Sequence, residues 1–201
     1  QGQLLRTLMP VGDYEKDEIR EIAKKFNLRV ANKPDSQEIC FVSDNDYASF
    51  VESEIGKKMT EGNFVTAEGE ILGKHKGILH YTIGQRKGLG IALGHPIFVT
   101  EIRPETNEVV IGENDDVFGY SLEAYNLNAM AVEKFYDGMR AVGKIRYSHK
   151  GEHCTVKVLG EDRIRIDFDE KVRAITPGQA VVLYDESGLV LGGGTIIGRC
   201  D

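Results

Sequence analysis

The hydrophobic pattern of the chain changes period near residue 62, and each side of that point predicts a different kind of structure. Before it, Ile19, Ile22, Ala23 and Phe26 recur at three and four residues, the spacing of one helical face. A helix is predicted over Tyr14 to Phe26, capped by Asp13 after the Pro10-Val11-Gly12 break and stopped at Asn27. Glu15, Glu18 and Glu21 weight its start and Lys24 and Lys25 its end, as the helix dipole favours. A second helix is predicted over Asp46 to Ile55, with Tyr47, Phe50, Val51 and Ile55 on one side and Gly56 closing it. Between the two, Leu28 to Ala31 reads as a short strand.

Beyond Gly62 the pattern is that of strands and turns. Asn63 to Ala67 and Ile71 to Lys74 flank Glu68-Gly69-Glu70 as one hairpin, and Pro96 to Ile102 and Glu108 to Gly112 flank Arg103 to Asn107 as another. Between them lies the loop His80 to Ile91. Further strands are predicted at 122–132, 139–147, 154–159, 163–168, 180–184 and 190–197. Arg163 to Phe168 alternates strictly, so Ile164, Ile166 and Phe168 face a core. Six strands in so short a span suit a closed antiparallel barrel, which leaves no edge exposed. The expected fold is therefore mainly β with a short α-helical N-terminal segment: a small central β domain, then an antiparallel six-stranded barrel. Domains are expected at 1–60, 61–117 and 118–201.

Composition adds bounds. The 201 residues are 41% hydrophobic and 28% charged, ordinary for a globular protein. No apolar run approaches the ~20 residues of a membrane helix and no leader pattern opens the sequence, so no membrane partner and a cytoplasmic location are expected. The three cysteines, Cys40, Cys154 and Cys200, lie too far apart for a metal knuckle or a disulfide framework. The five histidines lack ligand-spaced partners, so no metal site is expected.

The net charge of −7 argues against a nucleic-acid binder, but its distribution changes that reading. From Lys74 to Thr100 there is no Asp or Glu, while Lys74, Lys76, Arg86 and Lys87 are cationic. In Gly84-Gln85-Arg86-Lys87-Gly88-Leu89-Gly90, glycines allow backbone N–H groups near a phosphate, Arg86 can clamp it with paired hydrogen bonds, and Lys87 adds a point charge. His80 and Tyr81 could stack on a base or donate to it. The plain alternative is a glycine-rich turn with two solvated cations. Arg146-Tyr147, ending a predicted strand, pairs a guanidinium with an aromatic ring, a usual grip on RNA; otherwise Tyr147 is a barrel-rim aromatic.

Cys40 follows a turn-prone polar run, Pro34-Asp35-Ser36-Gln37-Glu38, in which Asp35 and Ser36 support a loop. A thiol there is either an accessible nucleophile or an inert, half-buried residue. Cys154 alternates with Val156 and Val158 as a core thiol, and Cys200 sits at a frayed end. Gly192-Gly193-Gly194 has no following Lys-Ser/Thr and reads as a bulge or close-packing point.

Two long strings carry a family resemblance: Val30 to Phe41, with Asp-Ser-Gln-Glu-Ile-Cys-Phe at its end, and His80-Tyr-Thr-Ile-Gly-Gln-Arg-Lys-Gly-Leu-Gly-Ile91. Together with Leu8 to Tyr14 they resemble the tRNA-specific 2-thiouridylases, over about Leu5 to Gly198. Thr176-Pro177-Gly178-Gln179 with the strand after it resembles the second-domain barrel of translation elongation factors. The thiouridylase resemblance implies thiolation at C2 of the anticodon wobble uridine, with ATP adenylating the C2 oxygen and a cysteine persulfide delivering sulfur as AMP leaves. Cys40 matches the persulfide-carrying cysteine; Arg146, Tyr147 and Gln179 match tRNA contacts, and Arg86 and Lys87 lie in the matching loop. Glu38 stands where the family more commonly has Gly, and an anion there opposes thiolate formation.

The resemblance further implies a C-terminal portion of such an enzyme, without the ATP-pyrophosphatase domain that binds ATP and Mg2+ and bears a second catalytic cysteine. Such a portion holds no cofactor and is inactive alone. Its partners are tRNA and a sulfur donor, a cysteine desulfurase or sulfur-relay protein. The competing reading is a non-catalytic RNA-binding barrel related to translation factors, with a structural Cys40. A methyltransferase using S-adenosylmethionine lacks its strand-loop-helix glycine fingerprint here.

Overall fold

The computed structural model describes residues 2, 4–33, 42, 47–56 and 58–200, in two compact units, Gln1–Gly56 and Lys57–Asp201. In the first, α1 spans Lys16–Lys25 and α2 spans Tyr47–Ile55. The cap of α1 is Glu15, whose N–H donates to the Glu18 carboxylate at 2.7 Å, so the helix starts later than its apolar spacing predicts. It ends as expected at Asn27, whose φ of 54° is left-handed. Leu28 to Ala31 is not a strand. Its backbone closes turns instead, Ala31 N–H donating to Leu28 O at 3.0 Å and Lys33 N–H to Val30 O at 3.0 Å.

In the second unit, β1 (Gly62–Val65), β2 (Ile71–His75), β3 (Phe98–Arg103) and β4 (Glu108–Gly112) form a sheet of order β2-β1-β4-β3. Both expected hairpins are present, joined by a parallel β1–β4 pairing that places Asn63 opposite Glu108. Asn107 makes that join possible. Its φ of 53° turns the chain into β4, while its Nδ2 donates to Thr60 O at 3.2 Å and Glu61 O at 3.0 Å just ahead of β1. Phe64, Val99 and Val109 fill the sheet's core, and Tyr81 and Leu89 pack in from the loop.

The barrel follows: β5 (Phe118–Ala129), β6 (Met139–Lys144), β7 (Glu152–Gly160), β8 (Arg163–Arg173), β9 (Ala180–Tyr184) and β10 (Val190–Arg199). It closes in the order β10-β5-β8-β7-β6-β9, every pair antiparallel. Ile164, Ile166 and Phe168 are buried, as their alternation requires. Cys154 is a core thiol, donating to Ala141 O at 3.4 Å. Cys200 is not frayed: its N–H donates to Ser121 O at 3.2 Å and its Sγ reaches Ser121 Oγ at 3.3 Å. Gly193 is a close-packing point, since a Cβ there would stand 2.1 Å from Val181 O across the β9–β10 ladder.

Candidate nucleic-acid interface

β9 alternates cleanly. Val181 and Leu183 point into the barrel, leaving Ala180, Val182 and Tyr184 on the outer face. β6 pairs with it so that Lys144 stands opposite Val182 and diagonal to Tyr184. The Lys144 ammonium lies 5.3 Å from the Tyr184 ring centroid, a cation–π contact on the barrel wall. Past β6 the chain turns, His149 N–H donating to Arg146 O at 3.1 Å, and this turn lifts Tyr147 fully into solvent. Arg146 stays half-buried, with Nη1 donating to Arg173 O at 2.7 Å.

Gln179 reaches the same place by another route. The Pro177-Gly178 turn is pinned to β10, Gly178 N–H donating to Ile196 O at 2.9 Å and Ile196 N–H to Gln179 O at 2.8 Å. With its carbonyl so occupied and its side chain exposed, Gln179 borders a groove of about 330 Å³. The neighbours Arg146 and Tyr147 and the sequence-distant Gln179 therefore line one groove, floored by Ala180 and Val182. Lys144 and Tyr184 complete it, and among the described residues no carboxylate lines it. Sequence reading passed over those two. Their signal was the cross-strand diagonal, which exists only once the β6–β9 register is known.

Arg86 and Lys87 are exposed but do not line this groove. Their loop is held in place. Gly84 N–H donates to Val99 O at 2.7 Å and Val99 N–H to Gln85 O at 2.9 Å, while the Gln85 amide bridges Thr82 N and Lys87 O. Gly84, with φ of 86°, packs where a Cβ would meet Ala174 Cβ and Arg173 Nη1 at 3.0 Å. Arg173 also donates to Gly84 O at 3.2 Å and stacks over the Phe98 ring at 5.5 Å, tying the loop to the barrel.

Tyr81 is withdrawn from any RNA role. It is buried edge-on against Phe64 and His75, with centroids 5.1 and 5.5 Å away. The larger cleft between sheet and barrel, about 650 Å³, carries Glu68, Glu101 and Asp116 against Arg199, an acidic lining that repels phosphates. His149 adds no charge to the groove, because burial and then the neighbouring Arg146 hold its pKa below the usual histidine value. Cys40, Asp35 and Ser36 lie outside the described residues. Among the described residues, no helix is long and apolar enough to cross a membrane.

A small sheet followed by a closed six-stranded barrel, with a cationic and aromatic groove on the barrel wall, defines a β-rich two-module protein. The family models described as tRNA methyl transferase HUP domain, tRNA methyl transferase PRC-barrel domain and aminomethyltransferase beta-barrel domain match residues 1–44, 48–113 and 121–196. The tRNA-specific 2-thiouridylase MnmA of Lachnoclostridium phytofermentans is 62% identical over 98% of this chain and 55% of its own length. That of Clostridioides difficile is 55% identical over 98% of this chain and 54% of its own. The chain belongs to the tRNA-specific 2-thiouridylase family, and it spans about half the length of the curated relatives it matches.

Proposed function

We propose that this chain is the tRNA-handling and sulfur-carrying part of an enzyme that thiolates C2 of the anticodon wobble uridine. The observation that carries the reading is the groove in which Arg146, Tyr147 and Gln179, each matched to a tRNA contact by resemblance, meet. Their chemistry suits RNA: a guanidinium for phosphate, a free ring for stacking and an amide that both donates and accepts. Arg86 and Lys87 add phosphate contacts from the anchored loop. The relatives' printed activity and the matches along the whole chain point the same way.

In this reading residues 1–60 belong to the catalytic domain, 61–117 form the central β domain and 118–201 the barrel. Cys40, which follows Asp35 and Ser36 in the sequence, carries the persulfide. A persulfide is a soft nucleophile near neutral pH, and its terminal sulfur attacks C2 once the C2 oxygen has been made a leaving group. The S–S bond is then opened by a second thiol, leaving sulfur on the base. ATP, with Mg2+, supplies the adenylate that makes that oxygen leave. The Gly192-Gly193-Gly194 run does not fit a triphosphate, because Asn128 O, Val181 O and Tyr125 O close it. A cytoplasmic sulfur donor, a cysteine desulfurase or relay protein, loads Cys40.

Intact-mass spectrometry after incubation with a cysteine desulfurase and cysteine tests this. The expected result is a gain of one sulfur that maps to Cys40 and disappears in Cys40→Ser. Undiminished tRNA thiolation by Cys40→Ser in the full-length enzyme would overturn the catalytic role and leave an RNA-binding barrel.

A further inference from the structure

We infer that the groove between β6 and β9 is a slot for one unpaired nucleotide of RNA, with Lys144, held by the face of Tyr184, acting beside Arg146 on its phosphate. The inference rests on the RNA-handling reading and specifies which part of the RNA the barrel takes. Four features carry it. The volume, about 330 Å³, is at the low end of the ~300–1,000 Å³ of small-ligand pockets, room for a single base. Cations line it without a carboxylate among the described residues. Tyr147 stands fully exposed at its rim, a ring face with nothing packed on it. Gln179 presents an amide to the same space, suited to the edge of a splayed-out base rather than to a helix backbone.

Lys144 is the part sequence reading could not supply. An exposed lysine ordinarily loses rotamer entropy when it grips a phosphate. Here the Tyr184 ring already holds its ammonium, 5.3 Å from the centroid, on the wall that also carries Arg146. The two cations bracket the groove, one stacked on an aromatic and one bonded to Arg173 O. Ala180 and Val182 give the floor no competing polar group. A base stacked on Tyr147 thus has its phosphate near two pre-ordered cations and its edge near Gln179.

The test is RNA binding by the 201-residue chain across a salt series, using a single-stranded oligonucleotide with one 2-aminopurine and the same sequence as a duplex. The chain has no tryptophan, so the fluorescent base reports stacking without interference. The single strand should bind more tightly than the duplex, with 2-aminopurine quenched on binding. Tyr147→Leu should abolish the quenching and weaken binding by about 5- to 100-fold, the usual loss of one base–aromatic stack. Lys144→Ala should reduce the salt slope by about 0.7, one phosphate contact on a single strand. Tyr184→Leu should weaken binding about 3- to 10-fold while Tyr184→Phe, which keeps the ring face, retains the wild-type affinity. Binding that survives with unchanged slope in Lys144→Ala and unchanged quenching in Tyr147→Leu, or equal affinity for the duplex, overturns the slot alone. No binding of either RNA by the wild-type chain at low salt overturns the RNA-handling reading and the slot with it.

Discussion

His75 sits in the small sheet with both ring nitrogens committed: Nδ1 accepts from Gly77 N–H at 3.0 Å and Nε2 donates to Asn107 O at 3.1 Å. Protonating it would put a second hydrogen against the Gly77 N–H. Burial, the largest effect, and nearby Lys74 hold its pKa below 6.5, although the Asn107 contact pulls the other way. Folding therefore prefers the neutral ring. Its contribution is complete above pH 6.5 and is lost as pH falls from there through the lowered folded value. Thermal melts from pH 7.5 to 5 should show this loss, and His75→Leu should reduce it, leaving the share of His149, while lowering stability at pH 7.5 by about 2 kcal/mol through the unpaired Gly77 and Asn107 groups. A melt with the same pH dependence in the variant would place the titration elsewhere. Cys154 is opposite in its chemical consequence: burial pushes its pKa up to about 12, so its thiolate is scarce near neutral pH. Iodoacetamide at pH 8 should leave Cys154 unlabelled in the native protein and label it only after denaturation. Labelling of native Cys154 would mean the barrel opens, and would undermine mapping of any added sulfur to Cys40.

At the scale of elements, β10 shows how backbone proximity closes the barrel. Gly193 lies between β5 and β9, opposite Asn128 and Val182. A Cβ there would collide with the Val181 carbonyl, and backbone on both sides leaves no flexible group to yield. Gly193→Ala should cost about 3 kcal/mol or more, whereas Gly198→Ala on the same strand, with no heavy atom within 4 Å of its Cβ, should cost under about 1 kcal/mol. Denaturant melts compare the two; equal costs would show that strand spacing can relax. The six barrel strands were legible in sequence because alternation such as Arg163 to Phe168 has only one buried face to satisfy. Both hairpins were legible from their turns. The parallel β1–β4 pairing was not, because it depends on Asn107 holding Thr60 and Glu61, a contact no periodicity encodes. Leu28 to Ala31 misled for a related reason: a short apolar run looks the same in a strand and in a turn. At the candidate site, Arg146, Tyr147 and Gln179 were singled out through a motif resemblance and share one groove, while Lys144 and Tyr184 required the register of two strands.

Across the unit Lys57–Asp201, the sheet and the barrel each have their own buried core, so what joins them decides whether they respond together. Arg173, at the end of β8, is one strut between them. Its guanidinium holds Gly84 O and covers Phe98, and the next residue's N–H, from Ala174, donates to Val117 O at 2.9 Å. Only the first two contacts use its side chain. Arg146 bonds the backbone carbonyl of Arg173, so truncating Arg173 removes the brace on the loop while leaving the groove's own brace intact. Losing a charged hydrogen bond and a cation–π contact should weaken the sheet's attachment by about 2 kcal/mol. Hydrogen exchange of Arg173→Ala should therefore speed roughly 30-fold in peptides covering β3 and β4 and stay unchanged in β5 to β10. Equal acceleration in both would mean that sheet and barrel open as one. For RNA the same variant separates two contributions. Under the proposed RNA reading, phosphate contacts through Arg146 should persist while those proposed for Arg86 and Lys87 should weaken as their loop loosens, which would appear as a smaller salt slope with base quenching retained.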